Sequence, residues 1–209
     1  MQRLIMNSAT YQQASTIDLS EENEEATEGQ SPAAEQFRND QREDPANLLF
    51  GRQNRRRLEA EALRDTMLFT AGQLDLTTGG PSTLDLNGLR RTLYITTARS
   101  DRATYQMLFD AADPTGIVEK RVESTVAPQA LWLLNHPFAL NQAQALATKA
   151  HEAAADDAGR ISWLYETLFS RPPTPREVAL GEKAVAAGDT AWTAYCQILY
   201  CTNEFIYLD

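Results

Sequence analysis

Apolar residues recur at helical spacing in a series of blocks along this chain, and short stretches rich in Gly, Pro, Asn and Asp separate them. The first block places Leu4, Ile5 and Ala9 on one face and predicts the end of a helix over residues 1–14. The clearest block is 55–71, built of strong helix formers, with Gly72 just past its end as the stop. Residues 74–88 read as a loop turning at Gly79-Gly80-Pro81. Residues 91–97 (RTLYITT) are β-branched and aromatic and predict a strand, for which 118–126 is the candidate partner.

The pattern turns helical again at Ala127. Pro128 suits a first turn, where its missing N–H costs nothing, and 129–135 carry Leu131, Trp132, Leu133 and Leu134. Pro137 separates that helix from one over 138–152, and a third follows over 156–169. After the Arg171-Pro172-Pro173-Thr174-Pro175 corner, Thr174 and Glu177 form a capping-box pair for a helix over 175–187. Gly188 ends it, and 190–205 make the last helix, with Trp192, Tyr195, Ile198 and Leu199 on its apolar face. The fold expected is mainly α, a helical domain with a minor two-stranded β element, spanning residues 1–209 as one domain.

One segment departs from this pattern. Residues 19–44 contain a single aromatic, Phe37, and no apolar periodicity, so they cannot bury enough surface to offset their ordering entropy. They are expected to form a flexible acidic insertion that Asp44-Pro45 closes with a turn. Between Asp18 and Asp44 stand ten acidic side chains against two basic ones, which accounts for −8 of the formal charge of −10. The acidity therefore describes this segment more than the folded body, and no basic footprint for nucleic acid is present. No run approaches the roughly 20 apolar residues that span a bilayer, and no export signal opens the chain.

Chemistry is sparse. Cys196 and Cys201 would lie about 140° apart on a helix and read as small apolar fillers. No metal-ligand spacing, CxxCH haem site, nucleophile elbow or phosphate-binding loop occurs, so neither a cofactor nor a metal is expected in this chain. His136, ahead of Pro137, reads as a packed or capping residue. Asp110 and Asp113 could bind a cation or perform acid–base chemistry, but as turn residues they are better suited to capping backbone N–H groups. On the 55–71 helix, Arg57, Glu61, Arg64 and Leu68 fall on one stripe with Asp65 beside it, flanked by apolar residues. Charges on a largely buried helix must be paired. The stripe is therefore either a salt-bridge set centred on Glu61 that joins helices, or a binding or catalytic cluster with shifted pKa values.

Taken in order, several short patterns resemble one family. They are Asn7-Ser8-Ala9-Thr10-Tyr11-Gln12; Arg56-Arg57-Leu58-Glu59-Ala60-Glu61 with Arg64-Asp65; Gly72 and Leu74; and Gly79-Gly80-Pro81. Arg90-Arg91 with Tyr94, Phe109-Asp110, Arg121, and Val126-Ala127-Pro128-Gln129-Ala130-Leu131 with Asn135 continue the series. Arg171-Pro172-Pro173-Thr174 with Glu177, and Asn203-Glu204-Phe205-Ile206-Tyr207, complete it. The chain resembles the planctomycete-specific domain of unknown function 1553.

The resemblance implies a C-terminal domain of large exported proteins, preceded by another uncharacterised domain and often by a cytochrome-c-like haem domain. It also implies a chain that is incomplete at its N-terminus. Localisation of the parent protein, periplasmic or extracellular, is implied in the same way. Two functions are then open. One is an accessory or interaction domain that packs against an upstream domain of the parent protein. The other is an enzyme or ligand-binding domain, related to polysaccharide or to an exported redox system. For the second, Arg57, Glu61, Arg64, Asp65, Arg91, Tyr94 and Asp110 would line one polar pocket, with Arg121, Gln129 and Asn135 as further candidates.

Overall fold

Residues 56–59 are extended, not helical. In the computed structural model, which describes residues 1–13, 15, 32–97, 105–113, 115–117 and 119–208, Leu58 N–H donates to the carbonyl of Ile206 at 2.8 Å. That long-range bond holds the chain extended through Glu59 (φ −65°, ψ 155°), and the helix α3 begins only at Ala60 and runs Ala60–Thr70. The expected helix over 55–71 is thus correct in its body and five residues too long at its start. Gly72 stops it as expected: at φ +69° it lets Gln73 N–H reach back to the Leu68 carbonyl at 2.8 Å.

Two units make up the chain. The first comprises Met1–Arg56 with Tyr207–Asp209, the second Arg57–Ile206. In the first, α1 spans Gln2–Met6 and buries no residue; the expected helix over 1–14 shortens to this one turn, followed by bends. Helix α2 spans Pro32–Glu43, inside the segment expected to be irregular. Its Ala, Glu, Gln and Arg residues favour helix by propensity, and it forms without the apolar stripe on which the sequence reading relied. Residues 19–31 of the expected insertion lie outside the described residues.

The second unit is helical: α3, then a 3₁₀ turn Thr92–Tyr94, α4 Tyr105–Leu108, α5 Ala127–Asn135, α6 Pro137–Ala153, α7 Asp157–Phe169, α8 Pro175–Val185, α9 Asp189–Tyr200 and α10 Asn203–Ile206. At its centre, α6 buries Phe138, Ala139, Gln142, Ala143, Leu146, Ala147 and Ala150, a stripe at 3–4-residue spacing. The alanines on that stripe allow close approach by α9, which turns Trp192, Tyr195, Cys196, Leu199 and Tyr200 inward. Ile161 and Leu164 of α7 and Leu63, Met67 and Leu68 of α3 complete a core in which these side chains are 0% exposed. Each contributes about 1.5–3 kcal/mol by burial. Gly181 lets α8 approach: a Cβ there would lie 2.8 Å from both Ile161 Cδ1 and Tyr195 Oη.

The N-terminal caps are legible residue by residue. Thr174 Oγ1 accepts from Glu177 N–H at 3.3 Å while Thr174 N–H donates to the Glu177 carboxylate at 2.7 Å, the expected capping box. His136 caps α6 through Nδ1, which accepts from Phe138 N–H at 3.2 Å, and its ring stacks on Trp132. The helix expected over 190–205 divides after Tyr200, where Thr202 Oγ1 bonds the Leu199 carbonyl at 2.7 Å and caps the short α10 through Phe205 N–H.

The β element is present but not where the sequence placed it. Its strands are β1 Arg56–Arg57 and β2 Tyr207–Leu208. Residues 91–97 form the 3₁₀ turn and a single bridge of Ile95 to Thr83, because the Asp65 carboxylate takes both the backbone N–H and the hydroxyl of Thr92. Residues 119–126 carry neither helix nor strand, and Val118 lies outside the described residues.

At the α7–α8 corner, Arg171 binds Glu177 (2.7 and 2.9 Å) and Glu204 of α10 (2.5 and 2.8 Å). The hydrogen bonds from Arg171 hold the Glu177 carboxyl down to about 2, against an ordinary value of 4.5. A depressed folded-state value means stability that is present above pH 4.5 and lost as pH falls through about 2. Glu177→Gln is therefore expected to be less stable than the parent at pH 7, with the gap closing between pH 4.5 and 2. Urea midpoints measured across that range check it.

Candidate functional site

The charged residues singled out on the sequence do not meet in one place. Because α3 starts at Ala60, Arg57 leaves the helical stripe and joins a separate, closed cluster. Its guanidinium, 8% exposed, binds the Asp110 carboxylate at 2.6 Å, the Ser124 carbonyl at 2.5 Å and the Phe109 carbonyl at 3.3 Å. Asp110, in the left-handed region at φ +59°, also accepts from Ser124 N–H at 2.8 Å. Burial raises its carboxyl and is the largest single influence, but the Ser124 N–H and the Arg57 charge together outweigh it and hold it below the usual carboxylate range. Gln129 seals the cluster by donating to the Leu108 carbonyl at 2.9 Å and the Ser124 carbonyl at 3.2 Å.

Arg64 forms the second cluster. It is 2% exposed and donates to the carbonyls of Leu86 (3.0 Å), Arg90 (2.9 Å) and Gly88, and to the Thr92 hydroxyl (3.1 Å). Its guanidinium also lies 5.2 Å from the Phe138 ring centroid. Every contact faces inward, so Arg64 organises the 86–92 loop and offers nothing to a ligand.

Four of the ten candidates, Glu61, Asp65, Arg91 and Arg121, line a common opening, a groove of about 650 Å³ along the outer face of α3. Its floor and walls add Ala62, Phe69, Leu74, Leu76 and Leu93, with Glu59 at one end. Phe69, Leu76 and Leu93 are 65%, 62% and 73% exposed. The Arg121 guanidinium grips Glu61 through both carboxylate oxygens (2.7 and 3.1 Å) and reaches Glu59 at 3.3 Å. Burial pushes the Glu61 carboxyl up most strongly, yet the Arg121 hydrogen bonds and charge and a backbone N–H more than offset it, so it stays below its ordinary value. Asp65 bonds Thr92 through one oxygen and faces Arg91 at 3.5 Å through the other.

Tyr94 and Asn135 lie apart from the groove. The Tyr94 hydroxyl accepts from Gly79 N–H at 2.8 Å under a ring covered by Arg90 at 4.1 Å, and Asn135 bonds the Leu131 carbonyl at the end of α5. The salt-bridge reading of the stripe is thus right in kind, but Glu61 pairs with a loop arginine and not with a neighbouring helix. Asp110 and Asp113 cap backbone N–H groups, of Ser124 and Thr115; Pro114 between them and the next turn lies outside the described residues. Sequence reasoning missed Phe69, Leu76 and Leu93: it places them in the helix, the loop and the candidate strand, and their apolar side chains carry no motif signal.

Among the described residues no three His, Cys, Asp or Glu side chains gather in a metal-binding arrangement. Burial pushes the Cys196 thiol up to about 12 and raises that of Cys201, which removes both as thiolate nucleophiles near neutral pH. No helix among the described residues is long and apolar enough to cross a membrane.

A family model described as PSD1, protein of unknown function (DUF1553), matches residues 1–185. No curated protein matches the chain. No solved structure matches it either.

Proposed function

The chain belongs to the PSD1 family of proteins of unknown function (DUF1553), and from that premise we propose that it is a non-catalytic interaction domain that packs against another domain of a larger parent protein. The observation that carries this reading is the α3 groove, where Phe69, Leu76 and Leu93 stand exposed while the charged groups around them are already paired with one another. A catalytic cleft needs a group whose protonation or nucleophilicity is poised for reaction. Glu61 is held ionised by Arg121, which suits an ionic rim around an apolar contact surface.

The first unit presents a second surface of the same kind. Residues 44–54 form a cross-braced loop: the Asp44 carboxylate accepts from Leu48 and Leu49 N–H (2.9 and 2.7 Å), and buried Asn47 bonds Arg52 O and Asn54 Oδ1 (2.7 and 2.9 Å). The bracing displays Leu48, Leu49 and Phe50 to solvent at 75%, 84% and 66% exposure, with Phe50 held at φ +56°. A bulky residue in that region is strained, and the bracing by Asp44 and Asn47 is what holds it there.

The test is binding of the domain that precedes this chain in its parent protein. Phe69→Ser combined with Leu93→Ser is expected to weaken that association about 30-fold or more, as truncation of central apolar anchors does. Both side chains are exposed, so the melting temperature should change little. Undiminished affinity in calorimetry with the double variant would overturn the assignment of the groove.

A further inference from the structure

The chain has two histidines, His136 and His151, and a histidine is the side chain that ordinarily titrates between pH 5 and 7.5. His136 is the single residue that joins α5 to α6. Its N–H donates to the Trp132 carbonyl at 2.8 Å, its carbonyl accepts from Leu140 N–H at 3.1 Å, and its Nδ1 accepts from Phe138 N–H at 3.2 Å. Pro137 has no N–H, so Phe138 supplies the first amide donor of α6. A ring nitrogen that accepts must be unprotonated. The ring also lies on Trp132, with centroids 4.6 Å apart and planes 18° from parallel. Trp132 in turn packs on Tyr105 of α4 at 4.7 Å and on Phe109 at 5.6 Å.

We propose that His136 is a proton-sensitive switch of the α5–α6 corner: neutral, it caps α6 and stacks on Trp132; protonated, it releases Phe138 N–H and opens the first turn of α6. Protonation places an N–H where the acceptor stood and a positive charge at the positive end of a 17-residue helix. The neighbouring elements supply no compensation. Helix α5 carries no charged side chain, and those of α6 (Lys149, His151, Glu152) stand near its C-terminal end. Helix α9 reaches the corner through Gln197, which donates to the Leu133 and Leu134 carbonyls, while its carboxylate, Asp189, lies at the other end beside His151. From α3, Arg64 sets a cation 5.2 Å from the Phe138 ring centroid, and from α4 the Tyr105 hydroxyl donates to the Ala60 carbonyl. Burial holds the His136 imidazole below its ordinary value of 6.5. A depressed histidine contributes stability that is full above pH 6.5 and is lost as pH falls through the lower folded-state value. Trp132 carries the opening toward α4, and the switch is independent of the α3 groove.

Amide exchange of the full chain at pH 7.5 and pH 5, corrected for the intrinsic effect of pH on exchange, tests it. Opening at the Phe138 amide is expected to be about fivefold more frequent at pH 5, the effect of losing one helix cap. His136→Asn keeps a capping oxygen without a titrating ring and should abolish the response while α6 stays closed at both pH values. His136→Ala has no cap at either pH, so Phe138 should open more often at both and again show no response. His151→Gln should respond as the parent does. Equal opening of the parent at the two pH values overturns the switch, and so does an undiminished response in both His136 variants. A rise at pH 5 shared equally by the amides of α9 would be general loosening of the core and overturns it too.

Discussion

Replacing Arg64 with methionine is expected to destabilise the protein by about 3–5 kcal/mol, the cost of removing one member of a buried charged network. Arg64 is 2% exposed, and its guanidinium satisfies the carbonyls of Leu86, Gly88 and Arg90 together with the Thr92 hydroxyl. Methionine fills a similar length of space but donates nothing, so several carbonyls at the edge of the core lose their partner and Asp65 loses a cation 3.7 Å away. Each unsatisfied buried group costs about 1–3 kcal/mol. Lysine should rescue only part of the loss, because one ammonium cannot reach carbonyls that the guanidinium fork contacts in several directions. Urea unfolding gives the number. Hydrogen exchange should localise the change: amides of 86–97 are expected to lose protection first, since Arg64 holds three carbonyls and the Thr92 hydroxyl of that loop. A loss below about 1 kcal/mol would mean that the loop holds itself.

Asp110→Ala is expected to be of comparable size, about 3–5 kcal/mol, for a different reason. The substitution leaves Arg57, 8% exposed, without the carboxylate 2.6 Å away that neutralises it. It also strips the acceptor from Ser124 N–H and places alanine at φ +59°, a region it adopts poorly. Asp110→Asn separates these contributions. Asparagine tolerates the left-handed region and can still accept from Ser124, so only the charge is lost, and the variant should recover a substantial part of the stability. Equal losses for alanine and asparagine in thermal or urea melts would show that charge alone governs the site. The double replacement Arg57→Met with Asp110→Asn should be milder than Asp110→Ala, since it removes the orphaned cation.

These two clusters also show where the sequence is readable. The helices of 127–200 follow from local rules: apolar residues at 3–4-residue spacing, Pro in first turns, Thr174 with Glu177 as a capping pair, His136 as the cap ahead of Pro137. Each rule concerns residues within about a turn of each other, so no knowledge of the rest of the chain is needed. The same logic failed where a distant group intervened. Residues 56–59 have helix-forming side chains, yet the carbonyl of Ile206 claims Leu58 and delays α3. The segment 91–97 has strand-forming side chains, yet Asp65 binds Thr92 and curls it into a 3₁₀ turn. Local propensity is worth tenths of a kcal/mol per residue, and one well-placed long-range bond outweighs it.

What the sequence determined by itself is the class, the C-terminal helices with their caps, the family to which residues 1–185 belong, and the pairing of the buried charges as a necessity of burial. Only the tertiary structure decided which charge meets which. Helical phase put Arg57, Glu61 and Arg64 on one stripe; the fold sends them to Asp110, Arg121 and a ring of carbonyls. The groove belongs wholly to the second category. Exposure is a property of what the rest of the chain leaves uncovered, and no spacing of Phe69, Leu76 and Leu93 along the sequence could have announced it.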